Sequence, residues 1–546
     1  MKEKTVQIKN GLIEGMQTED GNFLFKGIPY GKPPVGELRW KPPVPAKDWD
    51  GVRDCTHFAP ACPQFTGPHP DPLYRKEFYS FYLHPPKMDE DCLYLNVWAP
   101  GNDDDAPCPV MVWLHGGGVQ AGYSYEQPFE GSEINKRGCI LVTVGYRTGI
   151  LGFIDLSEVP GGEGYQTSGN LGLLDQACAL AWVHENIGAF GGDPENVTIF
   201  GESAGGGSAS LLPLMKETRG LFKRTIAQSG SVALTYSREE CKKLTGMLLK
   251  HSKCKSMKEL ASLSEADLVK LNERLNDFNN FPERDGVVLP VDLYQAWEDP
   301  ALAHVDLMTG TNADESRYWI NEMGYYVPFV PGSFLYKHGS RIMYENNLLV
   351  MSEEEKRAAK AFIKKKSGEP AWRVTEYNNE VLFRLPSAET ALRHARAGGR
   401  SYVYYWTMPG ADPEIGACHA IELSYVFNNP HVDIYTGGLY NERLADMVQR
   451  MWVSFARCGD PGTEDLSWDA YTPQTRQTMI LGPEIHLEAD PGREDRELLE
   501  PLLGHYFNGC YSQLDMNVPQ TRRILFRLAV IVGFLLLLLL LWNQLL

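Results

Sequence analysis

One stretch, Phe190–Gly207, limits the fold of this chain more than any other: FGGDPENVTIFGESAGGG. Val197 to Phe200 is a β-branched and aromatic run, the composition of a buried strand. Gly201-Glu202-Ser203-Ala204-Gly205 follows at once, and small residues then lead to Leu211 and Leu212, a start suited to a helix. The order is strand, tight turn, helix, with a serine at the apex. Such a turn needs glycine on both sides, because larger side chains would clash with the neighbouring strand and helix. It lifts the hydroxyl clear of the sheet, where a histidine can reach it. The stretch points to a serine esterase with Ser203 as nucleophile, although the bare pentapeptide is too common to carry that reading alone.

The flanking chain supplies the context. Thr5 to Met16 reads as a hairpin turning at Asn10-Gly11, and Phe23 to Trp40 as an extended segment fixed by prolines. Glu90–Pro100 contains a strand, and Val110–Leu114 is a five-residue apolar strand running into His115-Gly116-Gly117-Gly118. A dinucleotide fingerprint fails there, because Gly122-Tyr123-Ser124 and Pro128 do not make the helix a pyrophosphate needs. The next strand, Ile140–Val144, also ends without an acid for a ribose. Successive glycines suit an oxyanion hole instead, since backbone N–H groups can point at a developing alkoxide with no side chain in the way. Asn170–Ile187 and Arg443–Cys458 read as helices, Asp306–Gly310 and Val403–Trp406 as strands, and Cys241–Asn280 as a charged helical insertion. Strands alternating with helices predict an α/β chain: a mostly parallel central sheet with helices on both faces.

The formal charge of −18 over 546 residues argues against a nucleic-acid partner, which would need clustered Lys and Arg. The eleven cysteines are scattered, with no zinc spacing. The first residues hold no apolar run, so no secretory leader is expected, and a cytoplasmic location with mostly reduced thiols follows. The sequon Asn196-Val197-Thr198 lies in the strand feeding Ser203, a poor glycosylation site. Ile524 to Trp542 forms an apolar run interrupted only by Arg527, about 28 Å long as a helix, close to a hydrocarbon core of about 30 Å. Arg522, Arg523 and Arg527 precede the uninterrupted part of this run, Leu528 to Trp542, and no basic residue follows it. A single-pass C-terminal transmembrane helix is therefore expected, contacting the lipid bilayer and holding the catalytic domain on the cytoplasmic side. The expected organisation is a catalytic domain over 1–515, a basic linker over 516–523 and the membrane segment over 524–546.

EDCLYLNVWAP at 90–100 and FGGDPENVTIFGESAG at 190–205 resemble the signature stretches of the type-B carboxylesterase/lipase family, relatives of the cholinesterases. FKGIPYGKPPVGELRW, WLHGGG, GNLGLLDQ and CHAIELSYVF are similar as well, and the details are most similar to the bacterial para-nitrobenzyl-esterase-like branch. The resemblance implies an α/β-hydrolase fold with chain order nucleophile, acid, base. Residue by residue, it implies Ser203 as nucleophile, Glu315 as acid and His419 as base. It also implies an oxyanion hole from the N–H groups of Gly117, Gly118 and Ala204. Glu202 and Ser229 resemble positions that support the nucleophile. Ser316 stands where the family usually has glycine, which leaves Asp314 as an alternative acid, and Ala420 replaces a glycine that some members carry after the base.

Cys62 and Cys92 resemble the pair that closes the family's first disulfide loop, an expectation at odds with a cytoplasmic domain. Cys254 resembles one member of a second loop whose partner is absent. No tryptophan lies between Cys62 and Cys92, so choline esters are not the expected substrates. The implied function is hydrolysis of small-molecule carboxylic esters, short to medium in acyl length and broad in range, through an acyl-enzyme with no metal or cofactor. Pocket residues would lie in Phe65–Pro86 and Asn276–Pro290. A lipase or amidase preference uses the same triad, and a non-catalytic, neuroligin-like adhesion protein uses the same fold; the latter's members lack an intact serine nucleophile. Oligomeric state is not legible in the sequence.

Overall fold

The computed structural model describes residues 3–64, 86–101, 106–275, 280–318, 344–345, 348, 351–430, 436 and 439–506. Strands β1 (Glu3–Ile8), β2 (Gly11–Gln17) and β3 (Phe23–Pro29) come first, with a short β4 (Val52–Asp54) beside β2. The next are β5 (Tyr94–Ala99), β6 (Cys108–Leu114), β7 (Ile140–Val144), β8 (Gly192–Glu202) and β9 (Arg224–Gln228). A separate ribbon pairs β10 (Tyr236–Ser237) with β11 (Glu283–Arg284). The set ends with β12 (Asp306–Asn312), β13 (Ser401–Trp406), β14 (Gln477–Leu481) and β15 (His486–Ala489).

Across the main sheet the order is β1-β2-β3-β5-β7-β6-β8-β9-β12-β13-β14-β15. From β7 to β14 every neighbour is parallel, while β1, β2, β3 and β5 at one end and β15 at the other pair antiparallel. Parallel strands buried on both faces read as unbroken apolar runs. In β6, Val110, Val112 and Leu114 enter one core and Met111 and Trp113 the other. Helix α1 (Leu171–Asn186) covers the first face, contributing Leu171, Leu180 and Val183. Helix α5 (Glu442–Cys458), numbered after α2 (Ala204–Leu211), α3 (Pro370–Asn379) and α4 (Leu385–Arg396), covers the second with Val448, Trp452 and Phe455. It stops where Gly459 turns left-handed at φ 76°. This is the α/β-hydrolase arrangement, with loops at the carboxyl ends of β6, β8, β12 and β13 gathered on one edge.

Several expectations change in detail. The first hairpin turns one residue earlier, at Lys9-Asn10, because Ile8 pairs with Gly11. Phe23–Pro29, read as merely extended, is a strand between β2 and β5. The insertion is three helices, Arg238–Ser252, Met257–Ala261 and Glu265–Leu275. One expectation is corrected outright, the C-terminal transmembrane helix and the bilayer contact drawn from it. Among the described residues no helix is long and apolar enough to cross a membrane. Hydropathy scores the transfer of a stretch into lipid and does not by itself make that stretch a spanning helix. Residues 507–546, on which the expectation rested, lie outside the described residues, as do 65–85 and 276–279 of the expected pocket loops.

Candidate active site

β8 runs straight into the serine turn. Ser203 caps α2 at φ 58° and ψ −122°, a region that costs a non-glycine residue on the order of 1–3 kcal/mol. Its surroundings hold it there: Ser203 N–H donates to the Gln228 carbonyl at 2.9 Å, and Gly207 N–H donates to the Ser203 carbonyl at 2.8 Å. The two flanking glycines have steric reasons. A Cβ on Gly201 would lie 2.5 Å from the Gly205 carbonyl, and one on Gly205 would lie 2.0 Å from the Leu114 carbonyl. The helix can therefore approach β6 and β8 only without those side chains. Ser203 is half-buried while Glu202 and Ala204 are buried.

The glycine loop after β6 lies against this turn. A Cβ on Gly116 would stand 3.2 Å from Ser203 Cβ and 3.0 Å from Glu202 Oε2. Gly117 and Gly118 take φ 100° and 62°, and among the described residues no backbone carbonyl accepts from their N–H groups. The Ala204 N–H sits in the first turn of α2, where no intrahelical acceptor exists. The loop is pinned by Gln120 and Ala121 N–H groups donating to the Gly117 carbonyl at 3.0 and 3.1 Å. His115 stacks on Tyr146, with ring centroids 4.2 Å apart, and burial pushes it down to about 4, so it stays neutral.

The loops after β12 and β13 bring Glu315 and His419 together. Glu315 opens a turn directly past β12, and its Oε2 lies 2.6 Å from His419 Nδ1. Its Oε1 accepts from the Asn312 N–H at 2.7 Å, and its carbonyl accepts from the His419 N–H at 3.3 Å. Asp314 faces elsewhere: Oδ1 is 3.0 Å from Arg317 Nε, and Oδ2 accepts from the Ala417 N–H at 3.0 Å. Ala420, next to His419, takes φ 66°, which explains why glycine suits that position. Phe383 and Tyr318 pack on the imidazole at centroid distances of 5.2 and 5.7 Å.

On the far side of the ring, Glu202 Oε1 is 3.0 Å from His419 Nε2. Burial opposes charge on His419, yet the carboxylates of Glu202 and Glu315 outweigh it and hold the imidazole well above its ordinary value. Burial raises Glu202 in turn. Glu422, three residues past His419, is fully buried and accepts from Gln228 Nε2 at 3.1 Å and Asn312 Nδ2 at 2.7 Å. Burial, reinforced by Glu202, pushes Glu422 up to about 7. Ser229 is buried at φ 48°, and its Oγ has no hydrogen-bond partner among the described residues.

Thus the structure brings together Ser203, Glu202, the Gly116–Gly118 loop, Glu315 and His419, with Ser229 behind the turn. Gln228, Asn312, Glu422, Phe383 and Tyr318 were not singled out by the sequence. Glu422 alone carried a signal, its place three residues after His419. Cys62 and Cys92 are buried free thiols rather than a bridge. Cys62 Sγ accepts from the Thr148 N–H at 3.4 Å. Among the described residues no group of His, Cys, Asp and Glu is placed to hold a metal ion.

A model of the carboxylesterase family matches residues 2–497. Para-nitrobenzyl esterase of Bacillus subtilis (strain 168) is 36% identical over 529 residues, covering 92% of this chain and 100% of that protein. Liver carboxylesterase B-1 of Rattus norvegicus is 31% identical over 515 residues, covering 86% and 88%. Among solved structures, a PNB esterase superposes with a TM-score of 0.77 at 33% identity, covering 91% of this chain and 99% of that one. A Geobacillus stearothermophilus carboxylesterase gives 0.77 at 32% identity with the same coverage.

Proposed function

The chain belongs to the carboxylesterase family and is a carboxylic ester hydrolase, and we propose that it works through Ser203, His419 and Glu315 by way of an acyl-enzyme. The observation that carries this assignment is the 2.6 Å contact between Glu315 Oε2 and His419 Nδ1, beside a serine held on a strained turn. A serine hydroxyl is a weak nucleophile at neutral pH, so His419 Nε2 takes its proton as Ser203 Oγ attacks the ester carbonyl. Glu315 keeps the Nδ1–H tautomer in place and stabilises the imidazolium without becoming protonated. The N–H groups of Gly117, Gly118 and Ala204 stabilise the tetrahedral oxyanion, with about 3–4 kcal/mol for each donor removed in measured precedents. His419 then protonates the departing alcohol, and water, activated by the same nitrogen, releases the acid.

Glu202 fits this scheme as the group that holds Nε2 between turnovers. Protonated on both nitrogens, His419 would donate to both carboxylates and could not accept from Ser203. The acid limb of activity is then the loss of that second proton. Small esters of short to medium acyl chains are the proposed substrates, with p-nitrobenzyl esters a natural probe given the name of the Bacillus subtilis relative. The deciding experiment is hydrolysis of p-nitrophenyl butyrate by the wild type and by Ser203→Ala. Loss of at least about a thousandfold in kcat with an unchanged melting temperature is expected. Retained activity would refute the assignment, and a wild type inert to every short ester would favour a binding role for the fold.

A further inference from the structure

Against the strands that lead to Glu315 and His419 lies a cavity of about 40 Å³, room for about three water-sized spheres. Its wall combines β12 and β13 with the first turn of α4 and the loop at Asp490–Gly492. Three guanidinium residues line it, Arg384, Arg476 and Arg496, against two carboxylates, Glu380 and Asp490. Arg496 is committed to Asp490 through two bonds of 3.0 and 2.7 Å. Arg384 binds Glu380 Oε1 at 3.1 Å, lies over the Tyr405 ring at 4.4 Å and donates to the Pro491 carbonyl.

Arg476 is different. Its Nη1 donates to the neutral Tyr471 Oη at 3.0 Å, and among the described residues no carboxylate pairs with it. Ser387, in the first turn of α4, is 3% exposed, lines the same cavity, and its Oγ has no hydrogen-bond partner among the described residues. In a chain of formal charge −18, this wall holds one guanidinium beyond its carboxylates and a buried hydroxyl free to donate. Both are donors that a planar or tetrahedral oxyanion accepts from in charge-assisted bonds. A neutral apolar ligand would leave them unmet, and a cation would face the excess guanidinium.

We propose that this cavity binds a small oxyanion, a carboxylate or a phosphate, held by Arg476 and Ser387. Two sources share that chemistry: the acid that ester hydrolysis releases, and free inorganic phosphate. The ligand would sit close to the base, because Arg384 is adjacent in the chain to Phe383, which packs on the His419 ring. Glu380–Arg384 forms a π-turn between α3 and α4, a local widening that recurs at functional sites.

Calorimetric titration of the full chain with sodium acetate, and separately with sodium phosphate, tests this at an ionic strength fixed with chloride. One saturable site is expected, weakened about 10- to 100-fold in Arg476→Gln and in Ser387→Ala, as for loss of one hydrogen bond to a charged group. Hydrolysis of p-nitrophenyl butyrate should be retained in both variants. Tighter acetate binding identifies the product acid as the source, and tighter phosphate binding identifies the free ion. No saturable heat with either anion would show that water fills the cavity and overturn the proposal. Binding unchanged in both variants would place the ion elsewhere and overturn it equally. Ser387→Ala removes one oxygen from a helix, so it keeps the test decisive even if Arg476→Gln fails to fold.

Discussion

Replacing Glu202 by Gln removes one negative charge 3.0 Å from His419 Nε2 while keeping the shape of the side chain. Both groups are buried, each with its side chain 5% exposed, so solvent screens the pair little. At an effective dielectric constant of about 20 the bare attraction is about 5.5 kcal/mol, or about four pH units. The remaining carboxylate of Glu315 and relaxation of the surroundings reduce that, and opposite charges at this range shift measured values by about one to three units. The sign is fixed by the geometry: the imidazolium loses a partner, so its proton leaves at lower pH. The acid limb of kcat/KM for the free enzyme should therefore move down by about one to three units in Glu202→Gln. Initial rates of p-nitrophenyl butyrate hydrolysis, read at the isosbestic wavelength of p-nitrophenol across the acid and neutral range, give the limb directly. A limb that stays in place, or moves upward, would refute the claim that Glu202 holds charge on His419.

Four further outcomes follow from the same geometry. Glu315→Gln should lower kcat about 10³- to 10⁴-fold with little change in KM, whereas Asp314→Asn should stay within about tenfold of wild type; the reverse order in steady-state kinetics would make Asp314 the acid. Gly205→Ala, whose Cβ would meet the Leu114 carbonyl at 2.0 Å, should cost about 3 kcal/mol or more in urea unfolding, or fail to give soluble protein. Glu422, raised to about 7 when folded from an ordinary 4.5, binds its proton more tightly folded than unfolded, so it lowers stability as pH rises from 4.5 through 7. Glu422→Gln should accordingly gain stability relative to wild type between pH 5 and pH 8, by up to about 3 kcal/mol, seen as a widening difference in melting temperature.

What the sequence disclosed depended on whether an element's stability is local. In β6 the run Val110–Leu114 is apolar because both faces are buried, and α5 repeats its apolar positions at helical spacing, so both were legible. β9 was not. Its sequence, RTIAQ, begins and ends polar, and those ends are satisfied only by distant partners: Arg224 by Asp306 at 3.5 Å, and Gln228 by Glu422 and Trp452. The π-turn at Glu380–Arg384 likewise has no local signature, so Phe383 against His419 was invisible. The carboxylates Asp314 and Glu315 are neighbours of similar chemistry, and only the pull of Arg317 and Ala417 on Asp314 separates them. The apolar tail shows the opposite failure, since composition there suggested a membrane helix that the described structure does not contain.

The strand order also dictates when a nascent chain could become competent. β6, β8 and the serine turn are complete once about 210 residues have emerged, but β12 and β13 must dock beside β9 before Glu315 meets His419, 104 positions further along. Each of those pairings closes a long loop, and non-local parallel pairing is slow to form. Release from the ribosome before residue 419 would leave Ser203 on its turn without His419. Synthesis beyond residue 419 is thus a prerequisite for the proposed chemistry, and fragments ending in the insertion should behave as sticky, inert sheets that depend on chaperones.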